Sequence, residues 1–417
     1  MRKLISGLFL LILPIIVSAQ GLTVETCQEK AKANYPLVKQ YGLIEQSAQY
    51  NISNANKGYL PQLSFSARGA YQSDAITINL NGMHLAQDKD QYQAVLEANQ
   101  VIWDGGVISA QKKITNAGAK VEKQKLEVDL FALNERVNQL FFGLLLLNEQ
   151  LIQNDLLRNE LQTNYQRVTA YKQNGVANQT DLDALKVEQI NANQRETELS
   201  SSRKSYFNML SALTGLVIDE KTELIKPEIN LSAIDVANVH RPEIELFDAQ
   251  NKLYESQKSF LNAGNLPKIG MFLQGGYGKP GLNMLNPEFS PYWMGGVRLS
   301  WNISGFYSQK NNIGKLDISK KTVDIQKETF LFNTDLKTKQ QQTEIEKLQQ
   351  IISNDDEIIR LRENIKKAAN VKVENGTSTV TDLIREINAE NQARQTKSLH
   401  EIQLIMAIYQ LKNNTNN

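Results

Sequence analysis

The chain states one plan twice, at a near-constant spacing of about 200 residues. Asn174-Gly175 followed by Thr180-Asp181-Leu182 returns as Asn375-Gly376 followed by Thr381-Asp382-Leu383, an offset of 201. Pro36 returns as Pro242, Leu60-Pro61 as Leu266-Pro267 and Tyr71 as Tyr277, each at 206; Trp103 with Gln111 returns as Trp301 with Gln309 at 198. Unlike motifs kept in one order and near one offset mark a duplicated module, and a unit this long is no solenoid repeat. The fold must therefore be buildable from two tandem copies.

An address label precedes the repeats. Residues 1–19 have a basic start (Arg2, Lys3), an apolar run from Leu4 to Val17 and the small-residue ending Val17-Ser18-Ala19. This reads as a secretory signal peptide; a permanent membrane anchor is the alternative, but the run is short for a spanning helix. Cleavage after Ala19 would leave Gln20, and Cys27 lies too far along to carry a lipid. The expected organisation is a signal peptide over 1–19, a first repeat over 20–215, a linker or equatorial segment over 216–238, a second repeat over 239–411 and a polar tail over 412–417.

One cysteine excludes an internal disulfide, so an exported chain of this kind holds together by packing. Charge is balanced, 46 basic against 45 acidic residues, which gives no sign of a nucleic-acid partner. Nine prolines and 23 glycines leave long stretches without a breaker, which argues for very long helices.

Each module reads as helix, hairpin, long helix and returning helix. Thr23 to about Lys57 is helical in pattern, ended by Gly58 and Pro61. Leu63, Phe65, Ala67, Gly69 and Tyr71 then alternate with Ser64, Ser66 and Arg68, a strand with one apolar and one polar face. A polar loop spans roughly Ser73 to Asp90, and a second strand runs from Tyr92 to Trp103, stopped by Asp104-Gly105-Gly106. In the second copy, Leu266-Pro267 opens a strand through Met271, Leu273 and Tyr277. The return strand carries Trp293, Val297, Leu299 and Trp301 on one face and Arg298, Ser300 and Asn302 on the other. Strands of about 9 to 12 residues with this alternation suit a bilayer-spanning barrel. Tyr59, Tyr71, Trp103, Tyr277, Trp293 and Trp301 would be its interfacial aromatics. A soluble hairpin with aromatic packing is the competing reading of the strands alone.

Long helices follow each hairpin. From Ser109 to about Gln173, Leu133, Val137, Leu140, Leu144, Leu147 and Leu151 form a coiled-coil seam. From Tyr307 to about Glu374 the corresponding seam is Ile351, Ile358, Leu361, Ile365 and Ala368. The run Phe141–Leu147 is too short to span a bilayer and reads as core. Asn174-Gly175 and Asn375-Gly376 reverse the chain, glycine accepting the left-handed backbone that ends a helix. Thr180 and Thr381 are expected to cap the returning helices, with Asp181 and Asp382 in their first turns.

Enzymatic signatures are lacking. His84, His240 and His400 are scattered over a loop, a linker and a late helix, without metal-ligand spacing. There is no phosphate-binding Gly-x4-Gly-Lys-Ser/Thr loop and no Gly-x-Ser-x-Gly elbow. Gly275-Gly276 sits within a strand and reads as close packing. No cofactor, metal site or catalytic residue is expected.

Leu22-Thr23-Val24-Glu25, Tyr59-Leu60-Pro61, Arg241-Pro242-Glu243 and the doubled Asn-Gly-x4-Thr-Asp-Leu motif resemble the TolC-like outer membrane efflux protein family over nearly the whole exported chain. The resemblance implies a mainly helical fold with four membrane-spanning strands per subunit, completed as a homotrimeric barrel over a long periplasmic tunnel. It implies an exit duct in the outer membrane lipid, energised by an inner membrane pump through a periplasmic adaptor. It makes Thr180, Asp181 and Asp382 periplasmic gate residues. Arg385 stands where the family's second gate aspartate would be, so an Asp382–Arg385 pairing is expected in place of an all-acidic ring. Asn174, Gly175, Val176, Asn375, Gly376 and Thr377 would be the adaptor-docking tips. The alternatives from other classes are an adaptor, which should add a domain of many short strands, and an exported coiled coil without a pore.

Overall fold

The computed structural model describes residues 21–75, 77–80, 83–228 and 238–416. The expected signal segment 1–19 lies outside the described residues, as does 229–237 of the expected linker.

The first helix is interrupted where one was expected from Thr23 to Lys57. Helix α1 (Val24–Asn34) starts on Thr23, whose Oγ1 accepts from Thr26 N at 3.2 Å. Tyr35 then takes an extended backbone, a 3₁₀ turn covers Pro36–Lys39, and α2 runs Gln40–Asn56. Pro36 supplies the reason, because it has no N–H to continue the ladder and disfavours helical backbone in the residue before it.

A second 3₁₀ turn (Lys57–Tyr59) and Pro61 deliver the chain to strand β1 (Gln62–Tyr71). The expected polar loop contains a small hairpin, β2 (Thr77–Leu80) paired with β3 (Met83–Ala86). Strand β4 (Asp90–Trp103) returns antiparallel to β1, pairing Gln62 with Asn99 and Tyr71 with Asp90. Asp104 turns the strand into a helix: its carboxylate accepts from Gly106 N at 2.8 Å and Ile108 N at 2.6 Å. Helix α3 (Val107–Phe131) continues as α4 (Leu133–Gln173) with only Ala132 between them. Helix α5 (Gln179–Thr214) returns.

The second half follows the same order. Helix α6 (Pro242–Gly264) opens with proline at its first turn, where the missing N–H costs nothing. Strands β5 (Lys268–Lys279) and β6 (Ser290–Ser300) follow, then α7 (Gly305–Glu374) and α8 (Val380–Thr415). At 70 residues α7 reaches about 105 Å. Residues 412–415, expected in a polar tail, complete α8. Asn414 Nδ2 donates to Thr334 O at 3.1 Å and Thr338 Oγ1 at 2.9 Å, and Thr415 is fully buried. Polar residues join the core there because α7 offers them partners.

The four long strands form one antiparallel sheet in the order β1-β4-β5-β6. The helices pair as α4 with α5 and α7 with α8, and α4 lies along α8. Among the described residues, four apolar clusters hold the rods together. The largest sits at mid-length, where Val137, Phe141, Phe142 and Leu144 of α4 meet Val24 and Cys27 of α1, Phe207 and Leu210 of α5, and Ile402 and Ile405 of α8. This accounts for the apolar run of α4 as core. Cys27 is buried there, and burial with Glu25 nearby pushes its thiol up to about 12. A second core lies near the hairpin ends, among Leu161, Leu185, Val373, Leu383 and Ile387.

The seam expected on α7 is displaced by one residue. Ile358, Leu361 and Ile365 are exposed, 46–47% each. The face packed on neighbours carries Thr334, Thr338, Gln341, Ile345, Leu348, Asp355 and Val373, a strict alternation of fours and threes once half-buried Ile352, Ile359, Arg362, Lys366 and Ala369 are included. Charged side chains sit on this true seam because each finds an opposite charge across it. Asp355 meets His400 Nδ1 at 2.6 Å, Arg362 meets Glu386 at 3.4 Å, and Lys366 meets Glu160 at 2.7 Å and also Glu390. Counting apolar residues therefore selected the neighbouring, outward stripe.

Candidate functional site

Two surfaces gather the residues singled out from the sequence: the hairpin ends and the sheet.

At both hairpin ends the chain reverses in the same way. Gly175 and Gly376 have φ of +75° and +68°, left-handed backbone that glycine adopts without a Cβ penalty. Val176 N donates to Tyr171 O at 2.9 Å while Gly175 N donates to Lys172 O at 3.1 Å. Thr377 N to Lys372 O at 2.8 Å and Gly376 N to Val373 O at 3.0 Å repeat the pattern. This six-to-one, five-to-two pair satisfies the last carbonyls of α4 and α7. Asn174 and Asn375 each add a side-chain donor to the carbonyl four residues back. Val176 and Thr377 are left exposed at the ends.

The caps differ from those expected. Asn178 Oδ1 accepts from Asp181 N at 3.0 Å, and Asp181 Oδ2 accepts from Asn178 N at 3.0 Å. Thr379 and Asp382 do the same for α8. The caps are thus Asn178 and Thr379, not Thr180 and Thr381, which lie inside the first turns. The capping box sets its partners three positions apart, and the aspartates at 181 and 382 set the caps at 178 and 379.

Asp382 is the more heavily bonded aspartate. The Thr379 hydroxyl at 2.7 Å, the Thr379 N–H and the Ser378 hydroxyl all donate to its Oδ2. These bonds, led by the Thr379 hydroxyl, with Arg385 beside them, hold its carboxyl below the usual range. Arg385 NH2 stands 3.5 Å from Asp382 Oδ1, and its Nε is 3.3 Å from Glu386. Within one chain the two side chains lie one helical turn apart and well exposed. Thr180 is exposed at the start of α5, and Asp181 is occupied by its capping role.

Between the hairpins lies an ionic cluster that the sequence did not announce. Lys366 of α7 joins Glu160 of α4 to Glu390 of α8, and Arg394 joins Glu390 to Glu363. Burial works against the Glu390 charge, but hydrogen bonds from Lys366 and Arg394 outweigh it and lower its affinity for protons. Lys366 shifts the other way, burial again overcome by its two carboxylates. The signal was the spacing: 355, 362, 366, 369 and 373 follow the heptad once charge is admitted to a seam.

The sheet has two chemically opposite faces. Paired rows run Leu63-Ala98-Leu273-Gly295 and Phe65-Leu96-Gly275-Trp293 on one face. Phe65, Trp293 and Val297 there are more than 70% exposed. The rows between carry Ser64, Glu97 and Gln274, then Arg68 and Gln93. Soluble monomers rarely present so continuous an apolar face to water; such a face marks a membrane or partner surface. The aromatics fall at two levels. Tyr71, Tyr277 and Trp293 stand toward the loop end; Tyr59, Trp103 and Trp301 stand at the helix end. Tyr59 belongs to the 3₁₀ turn, and Trp301 lies one residue past β6, its Nε1 donating to Asn265 O at 3.0 Å. Roughly 30 Å of strand separates the levels, which matches an apolar band about 25 Å tall when strands tilt. Gly276 is close packing, as expected: a Cβ there would come 2.4 Å from the Tyr292 ring. Gly275 has open space at that position.

The three histidines stay apart, His84 on β3 opposite Asn79, His240 bonded through its N–H to Thr415 O, and His400 on Asp355.

The family model described as outer membrane efflux protein matches residues 28–216. No curated protein sequence matches the chain. Its fold is similar to that of the outer membrane protein VceC of Vibrio cholerae at 14% identity and a TM-score of 0.66, covering 94% of each chain. It is similar to the CmeC outer membrane channel of Campylobacter jejuni at 13% identity and a TM-score of 0.64, covering 94% of this chain and 85% of that one. The MtrE outer membrane channel of Neisseria gonorrhoeae, described in its open state, gives 14% and 0.64, covering 94% and 89%. With the apolar sheet face and its aromatic levels, these matches place the chain at the outer membrane: residues 28–216 match the outer membrane efflux protein family, and the chain's fold is similar to that of solved outer membrane channels.

Proposed function

We propose that three copies of this chain form a passive exit duct through the outer membrane, with the helices as a periplasmic tunnel, in a tripartite efflux or type I secretion assembly. The sheet is the observation that carries this reading. It is apolar on one face and polar on the other, and its β1 and β6 edges have no partner among the described residues. Four strands cannot close on themselves, and open edges do not persist in lipid. Identical neighbours would close them, four strands from each copy. In this reading the energy comes from an inner membrane pump, reached through a periplasmic adaptor that docks on the glycine-centred ends at Asn174–Val176 and Asn375–Thr377.

The protein should leave membranes only with detergent, and as a trimer by mass. Recovery as a soluble monomer would sink the duct. The gate is assigned to the ring that Asp382, Arg385, Thr180 and Asp181 would form around the axis. Asp382→Ala and Arg385→Ala should each raise the single-channel conductance of the reconstituted protein; unchanged conductance in both would remove the gate and leave the duct.

A further inference from the structure

The polar face of the sheet is unevenly charged. Among the described residues, Arg68 on β1, Lys268 on β5 and Arg298 on β6 occupy its register positions, and Glu97 on β4 is its one carboxylate. Asp90 and Lys279 stand at the loop end on the other face and pair with each other at 3.4 Å. Glycines shape how this wall is dressed. Tyr292 lies over Gly276 and accepts a hydrogen bond from Gln93. Phe272 lies over Gly296, where a Cβ would meet its ring at 3.1 Å. Both rings are therefore flat against the sheet. Arg298 then stacks 4.8 Å from the Phe272 centroid and reaches Glu97 at 3.6 Å. The Arg298 side chain remains 58% exposed against 27% for Glu97, so the cation faces the open side of the pair.

Resting on the duct reading, we propose that this wall makes the pore favour anionic solutes, with Arg298 as the specificity-determining residue. One of the three cations is partly neutralised by Glu97; the other two have no ion-pair partner among the described residues. Assembly from identical copies keeps that ratio. Rings of arginine and lysine select anions in aqueous pores, as acidic rings select cations. Position strengthens the effect. Lys268 and Arg298 sit within two residues of each other in register, at the helix end of the sheet, while Arg68 lies opposite Gln93 near the loop end. An anion meets positive charge on entering the barrel and again on leaving it. Such charges act over about 10 Å at 0.1 M salt and about 3 Å at 1 M.

The test is the reversal potential of the full-length protein reconstituted in a planar bilayer under a KCl gradient centred near 0.1 M. The wild type should pass chloride in preference to potassium. Arg298→Gln should reduce the chloride-to-potassium permeability ratio, Arg298→Glu should invert it, and Glu97→Gln should raise it. Arg68→Glu, which breaks no ion pair, should lower the ratio even if the Arg298 variants fail to assemble. The preference should weaken at 1 M salt. A ratio that stays at the wild-type value in conducting Arg298→Glu and Arg68→Glu channels overturns the selectivity and leaves the duct standing. Absence of conductance in every protein, the wild type included, overturns the duct and this inference with it.

Discussion

Single residues decide how the rods end. Gly175 and Gly376 were legible because only a left-handed residue closes this kind of turn, and both have positive φ. The caps lie two positions before the expected Thr180 and Thr381, which have the right chemistry but the wrong offset from their aspartates. The structure makes the distinction measurable. Asn178→Ala and Thr379→Ala should each cost about 1 kcal/mol of local stability. Thr180→Ala and Thr381→Ala should stay within about 0.5 kcal/mol. Amide hydrogen exchange over the first turns of α5 and α8 reads the difference, and a Thr381→Ala loss as large as that of Thr379→Ala would contradict the assignment.

At the level of elements, α7 shows how far periodicity reaches. A heptad count found a real stripe, Ile358-Leu361-Ile365, and the packed face lies one residue along. Hydropathy ranks a lone lysine or glutamate as surface; it has no knowledge of the opposite charge that α4 or α8 brings. Glu390 and Lys366 exemplify this. The folded state lowers the Glu390 pKa, so its contribution is complete above the ordinary glutamate value of 4.5 and is lost as pH falls through the depressed folded value. Lys366 is raised, so its contribution is complete below its ordinary 10.5 and is lost only as pH rises through the raised value. Lys366→Met should therefore cost about 2 kcal/mol at neutral pH, because Glu160 loses its partner and the buried Glu390 keeps only Arg394. Below the glutamate range the same substitution should cost much less. Thermal unfolding followed against pH checks this; a penalty independent of pH would show that the lysine stem, not its charge, is what matters.

The molecule as a whole is unfinished in the same direction twice. Among the described residues the sheet has two bare edges, and α7 turns Ile318, Ile325, Phe332, Ile358, Leu361 and Ile365 outward. A chain that packs four helices side by side leaves these stripes for a neighbour. Replacing Ile358, Leu361 and Ile365 together by serine should therefore weaken the proposed trimer and leave the subunit's own helices folded. Mass in mild detergent against circular dichroism separates the two. Loss of helix in step with loss of trimer would mean the stripe serves the subunit's own fold.

The sequence alone determined the order of the long strands and rods, the alternation of the strands and the places where the rods turn. Those properties are local: breakers, glycine at left-handed corners, and periods of two or three and a half act through residues near one another in the chain. Only the tertiary structure decided which stripe of α7 is buried, which polar residues complete α8, how Lys366 ties α4 to α8, and that Arg298 lies over Phe272 against Glu97. Each of these depends on a partner brought near from a distant part of the chain, whose charge or glycine reverses what the isolated residue would prefer.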